Sequence, residues 1–128
     1  MGKIRVLITD DHAIVRDGLK QLLDSQPDME TIGEAGDGRE ALEKVKTLHP
    51  DVVLLDLAMP HLGGMEAANL ISEVTPKSRI VVFSMHGKES YVRQILAAGA
   101  LGYVLKASPS SDILAAIRSA YRGEYFLS

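Results

Sequence analysis

One α/β domain, a doubly wound parallel sheet of (βα)5 pattern, is the fold class this sequence predicts. Three observations predict it. Short β-rich runs alternate with amphipathic stretches of helical period along the whole chain. Most of those runs are unbroken Val, Ile and Leu, as expected of strands covered on both faces. The 128 residues are enough for one sizeable core and few for two.

The first strand is read over Ile4–Thr9, and Val15, Leu19, Leu22 and Leu23 then recur at helical spacing. The second run, Met29–Ala35, differs: Glu30 and Glu34 alternate with Thr31, Gly33 and Ala35, which suits an edge strand with one wetter face. Ala41, Leu42, Val45 and Leu48 mark a second helix, stopped by Pro50. Asp51–Asp56 is the third strand. A helix of less regular pattern follows from Gly64 to Val74, stopped by Pro76. Arg79–Ser84 is the fourth strand. Val92, Ile95 and Leu96 belong to a helix that Gly99 closes. Gly102–Leu105 is the fifth strand. Pro109, between Ser108 and Ser110, opens a last helix carrying Ile113, Ile117 and Tyr121.

Composition narrows the function. Hydrophobic residues at 46% and charged residues at 24% describe an ordinary globular protein. A net charge of -3 gives no reason to expect this chain itself to bind nucleic acid. The absence of cysteine excludes disulfides, thiolate chemistry and cysteine-ligated zinc, and is compatible with a cytoplasmic location. The apolar stretch Ile4 to Ile8 is too short for a signal peptide, position 6 holds Val6 where myristoylation needs Ser or Thr, and no apolar run approaches membrane-spanning length. No G-x-G-x-x-G, G-x-x-x-x-G-K-[ST] or G-x-S-x-G is present, which argues against dinucleotide, P-loop and hydrolase-elbow chemistry.

The chemistry sits at strand ends. Asp10 and Asp11 follow the first strand, Asp56 ends the third, Ser84 ends the fourth and Lys106 follows the fifth; the second strand contributes none. Ligands of open α/β sheets bind outside those carboxyl ends. Three carboxylates gathered there would repel one another unless a cation joined them, and a hard divalent ion such as magnesium suits oxygen donors. Carboxylates, a hard cation and a lysine favour phosphoryl chemistry, with an aspartate as covalent acceptor. Each piece has a plainer reading. Asp11 before a helix is also an ordinary N-cap, an Asp ending an apolar run is weak evidence, and Lys106 alone is a solvated charge. The five in register carry the argument.

Together these residues resemble the receiver domains of two-component response regulators. The similarity rests on Val6-Leu7-Ile8-Thr9-Asp10-Asp11-His12, on Val53-Leu54-Leu55-Asp56-Leu57-Ala58-Met59-Pro60 with Gly63-Gly64, on Ile80-Val81-Val82-Phe83-Ser84 with Gly99-Ala100, and on Gly102-Tyr103-Val104-Leu105-Lys106. It covers essentially the whole chain, residues 1–128, as one receiver domain. The resemblance implies a flavodoxin-like sheet with strand order 2-1-3-4-5. It implies that Asp56 accepts the phosphoryl group, that Asp11 and Asp56 bind magnesium directly with Asp10 acting largely through water, and that the Ala58 backbone carbonyl is a further ligand, manganese being a substitute metal. Lys106 would contact the phosphoryl group, Ser84 would hydrogen-bond it after transfer, and Tyr103 would turn inward behind it. The implied partners are a sensor histidine kinase or phosphotransfer protein, and a second copy through the first and fifth helices or the fourth-helix face.

Asp10-Asp11-His12, Lys106-Ala107-Ser108-Pro109 and Gly123-Glu124-Tyr125-Phe126-Leu127-Ser128 are most similar to the NarL/LuxR-type subfamily. There a helix-turn-helix domain normally follows, so DNA would be met only through a domain beyond this chain. Departures are few. Ser84 replaces the commoner Thr but keeps the hydroxyl. Ala107 replaces a proline. Met85 is larger than the usual residue and stands to narrow the approach path. Ala58 and His86 hold positions that tune dephosphorylation; Ala58 has no polar group to position a water, which predicts a slow loss of phosphate.

His12, His49, His61 and His86 share no ligand spacing on one element and read as surface or loop residues. Tyr103 on its own reads as packing at the rim. Tyr121, Tyr125 and Phe126 read as the packed end of the last helix. The competing function is a phosphohydrolase working through an aspartyl-phosphate, like haloacid dehalogenases, but Asp56-Leu57-Ala58 lacks their second acid and no cap insertion is present.

Overall fold

The computed structural model describes residues 2–59, 62–85 and 89–128, with side chains for all of these but residues 89 and 90. Pro60, His61 and His86 lie outside the described residues, and with them the readings of His61 and His86.

The elements in chain order are β1 (Ile4–Thr9), α1 (Ala13–Asp24), β2 (Met29–Ala35), α2 (Gly38–Leu48), β3 (Val52–Asp56), α3 (Gly64–Val74), β4 (Arg79–Ser84), α4 (Glu89–Ala97), β5 (Gly102–Leu105), α5 (Ser110–Tyr121) and β6 (Phe126–Leu127). The sheet runs β2-β1-β3-β4-β5-β6, with all five neighbouring pairs parallel. β2 is an edge strand and partly exposed, as its alternating glutamates predict. β3 is buried throughout, as its unbroken apolar text predicts, and begins one residue later than expected.

Two apolar layers cover the sheet. Leu7, Val53, Leu55, Val82 and Tyr103 point to one side and meet Ala41 and Val45 of α2, Ala67 and Ile71 of α3, and Ile95 of α4. Val6, Ile8, Leu54, Phe83 and Val104 point to the other and meet Leu19 and Leu23 of α1 and Ala116, Ile117 and Ala120 of α5. Alternation along each strand sends neighbouring residues to opposite layers, which is why both faces need helices.

Stop signals behave as read. Gly99 adopts φ +106 after α4, a conformation that side chains resist. Pro109 caps α5.

Two expectations need correction. The tail is not all helix end: α5 stops at Tyr121, Gly123 turns the chain at φ +77, and Phe126–Leu127 forms a sixth strand on β5. Phe126 packs into the α1/α5 layer, whereas Tyr121 and Tyr125 are exposed. A two-residue strand has no period to detect; it forms because β5 would otherwise leave an open edge. The start of α1 is also different. His12 occupies its N-cap in an extended conformation, with no side-chain cap bond. The N-cap reading of Asp11 therefore falls.

Candidate functional site: an acidic rim with one lysine

Register does the gathering. Thr9 pairs with Leu55, so Asp10 and Asp56, each one step further, stand side by side. Asp56 pairs with Phe83, and Ser84, the next residue, pairs with Leu105. Lys106 follows, and its backbone N–H donates to the Ser84 carbonyl at 2.7 Å. Only the order in which β1 and β3 are neighbours brings these residues to one place.

The Lys106 ammonium stands 3.4 Å from Asp10 Oδ2 and 3.4 Å from Asp56 Oδ2. Its position is also 5.0 Å from the Phe83 ring centroid, a cation–π distance. Asp10 and Asp56 are buried, and Asp11 lies at the surface. Burial, and then the charge of Asp10, hold the Asp56 carboxyl above its ordinary range; Lys106 and the Ala58 N–H, 3.3 Å from Oδ1, work against that rise. Ser84 is buried at the end of β4, and Tyr103 is buried in the α2/α3/α4 layer, turned inward. Ala58 lies in the bend after β3 with its side chain exposed. A Cβ at Gly64 would come within 2.4 Å of the Asp56 carbonyl oxygen, so glycine is what lets α3 start against the end of β3.

Asp10, Asp11 and His12 can present ligand atoms all within 4.8 Å of one another. His12 is a surface residue, as read, but not an idle one. Its Nδ1 lies 3.2 Å from Asp10 Oδ1 and 3.0 Å from Asp11 Oδ1, and its backbone N–H donates to Asp10 Oδ1 at 2.7 Å. Among the described residues, Asp10 and Asp56 share the Lys106 ammonium, and Asp11 adds a third carboxylate beside Asp10. That excess of hard oxygen donors fits a divalent cation. Met85, 80% exposed, borders an apolar hollow with Lys106 and Ala107.

Sequence reasoning missed Arg16. Its Nη1 donates to the Asp10 carbonyl at 2.6 Å and its Nε to Glu34 Oε1 at 3.1 Å. The second strand thus reaches the site after all, through Glu34. One local signal was available: a cation in the first turn of a helix that begins beside acids.

A family model for the response regulator receiver domain matches residues 6–118. The chain belongs to that family: it is the receiver domain of a two-component response regulator, a class of signalling switches that interact with histidine kinases or phosphotransfer proteins and generally bind magnesium. Its relatives are of NarL/LuxR type. The oxygen regulatory protein NreC of Staphylococcus haemolyticus is 41% identical over 125 residues, 97% of this chain and 58% of NreC. The chain therefore spans little more than half the length of the curated relatives it matches. A LuxR-family two-component response regulator from Aurantimonas sp. SI85-9A1 superposes with a TM-score of 0.95 at 34% identity, covering 99% of this chain and 91% of that one. CheY of Borrelia burgdorferi, solved in complex with CheX, BeF3 and magnesium, gives 0.82 at 32% identity over 88% of this chain and 84% of that one. No helix among the described residues is long and apolar enough to cross a membrane.

Proposed function

We propose that this domain accepts a phosphoryl group on Asp56 from a sensor histidine kinase or phosphotransfer protein, in a magnesium-dependent step, and that the phosphorylated form switches the output of a longer cytoplasmic regulator. The observation that carries the reading is the Lys106 ammonium set equally between Asp10 and Asp56 at the sheet's carboxyl end. The magnesium-loaded, BeF3-bound CheY of similar fold supports it.

Asp11, Asp56 and the Ala58 carbonyl would hold magnesium, with Asp10 acting through water and manganese able to replace the metal. When bound, the ion would offset the charge of the phosphoryl oxygens. An Asp56 carboxylate oxygen forms the new O–P bond while the N–P bond of the donor histidine breaks and the departing imidazole takes up a proton. Lys106 offsets the charge on the transferring group. Ser84 hydrogen-bonds a phosphoryl oxygen once it has arrived, and Tyr103 packs behind Ser84.

The switch follows from charge. A phosphoryl group brings about 1.5–2 negative charges and three strong acceptor oxygens. Ser84 and Lys106 are joined by a backbone hydrogen bond, so drawing either inward moves the loops after β4 and β5 together. The face built from α4, β5 and α5 then offers a partner a different surface, which favours a second copy or an attached helix-turn-helix domain acting on DNA and transcription. Loss of phosphate is slow, because Ala58 brings no polar group to orient a water.

Acetyl phosphate with magnesium, read by intact mass, tests the proposal. Wild type gains one phosphoryl group, Asp56→Asn gains none, and Lys106→Ala is slowed roughly 100-fold, the scale of losing one charge-stabilising donor. Unchanged labelling of Asp56→Asn would place the acceptor elsewhere.

A further inference from the structure

We propose that Arg16 is a positioning residue for the acidic rim, holding the backbone of Asp10 so that the two carboxylates of the β1–α1 turn keep their geometry for the cation. The inference rests on the magnesium site proposed above and names a residue that supports it from outside.

Asp10 is tied at both of its main-chain groups. Its N–H donates to the Ala35 carbonyl at the end of β2, at 3.0 Å. Its carbonyl accepts from Arg16 at 2.6 Å. The same guanidinium reaches Glu34 of β2 at 3.1 Å, so one planar head bridges the turn and the edge strand. A fork of fixed donors suits two acceptors in different directions, whereas a lysine ammonium lacks that planar preorganisation. With the main chain held, the Asp10 carboxylate is left spanning His12 N–H through Oδ1 and Lys106 through Oδ2.

Placement of a cation there is otherwise unfavourable. Arg16 stands in the first turn of α1, the positive end of the helix dipole, and that turn has no acidic residue to balance it. The side chain is mostly buried, at 21% exposure. Its engagement with Asp10 and Glu34 accounts for its presence.

Charge and position predict opposite signs, which makes the inference testable. If Arg16 acted only as a positive charge near the site, removing it would tighten cation binding. If it positions Asp10, removing it weakens binding.

The experiment is a magnesium titration followed by backbone amide shifts of Asp10, Asp11 and Asp56, with hydrogen exchange of the His12 amide measured without metal. Arg16→Gln is expected to bind magnesium about tenfold more weakly, the low end for groups that orient metal ligands from behind. Its His12 amide exchanges faster. Glu34→Ala, at a half-exposed position, removes the brace and weakens binding roughly threefold, the scale of one modest hydrogen bond. Glu34→Gln keeps the Oε1 acceptor and stays within about twofold of wild type. Equal or tighter magnesium binding by Arg16→Gln overturns the proposal. Should Arg16→Gln fail to fold, Glu34→Ala decides, and wild-type affinity there overturns it. Absence of any shift in the wild-type protein would instead remove the magnesium site and this inference with it, a result distinct from an insensitive variant.

Discussion

At the amino end of the strands, polar groups meet partners that satisfy them; at the carboxyl end, among the described residues, two buried carboxylates share one ammonium, with Asp11 beside them. Arg118 of α5 grips Asp28 with two hydrogen bonds, of 2.8 and 3.0 Å. Arg5 donates to the carbonyls of Leu48 and His49, the Arg5 N–H donates to Asp51, Ser78 donates to the Pro50 carbonyl, and Arg79 donates to that of Ala120. Each of these bonds closes a helix end or a turn onto the sheet. At the carboxyl rim Arg16 holds main chain and Glu34, while burial and Asp10 both push Asp56 away from its charged form with Lys106 opposing them. One end of the sheet is arranged for stability, and the other keeps an excess of negative charge that a divalent cation would offset.

Substitutions can break or sharpen this contrast. The largest stability effect is expected from Gly64→Ala. Its added methyl meets the Asp56 carbonyl at 2.4 Å and Leu57 Cα at 2.7 Å, both backbone atoms with little room to move. A loss of about 1–3 kcal/mol is expected in urea denaturation, the range for forced overpacking. Wild-type stability would mean that the start of α3 moves more easily than the close approach implies.

Asp56→Asn should act in the opposite direction. A carboxyl raised by burial costs stability when ionised, and the cost is absent when both folded and unfolded forms are protonated. The variant should therefore be more stable than wild type at neutral pH, seen as a higher Tm. That gain should fade as pH drops toward and below about 3.9, the ordinary aspartate value. A lower Tm at neutral pH would erase the contrast between the two ends.

Arg118→Ala is the smallest effect. The hydrogen bond from Arg118 foremost holds Asp28 below the usual carboxylate range; burial opposes it, and the Arg118 charge adds a lesser lowering. Its contribution is therefore present above that range and lost as pH falls through the lowered value. The pair is only partly buried, so removing Arg118 should cost up to about 1 kcal/mol at neutral pH, with its electrostatic share vanishing in strong acid. Thermal melts across pH would then show Asp56→Asn above wild type and Arg118→Ala below it, with both gaps narrowing in acid.

Much of the site was legible because its residues end apolar runs. Asp56 and Ser84 are visible as polar stops on buried strands, and Asp10 and Lys106 follow at once. His12 and Arg16 were not legible in the same way. His12 reads as a loop histidine until its ring is found beside two carboxylates. Arg16 reads as one more charge on an amphipathic helix, because Glu34, its partner, is 18 residues away.

By itself the sequence determined the fold class, the place of each main element to within about a residue at most ends, and the polar residues at the strand ends. Those features are local: period, apolar runs, and the conformational limits of proline and glycine act over a few residues. The spacing of the chain did not determine strand order, the bracing of Asp10 from β2, or the strand Phe126–Leu127 on β5. These depend on hydrogen bonds and packing between segments distant in the chain, where direction and register decide which groups meet, and neither is written in the order of residues along one strand.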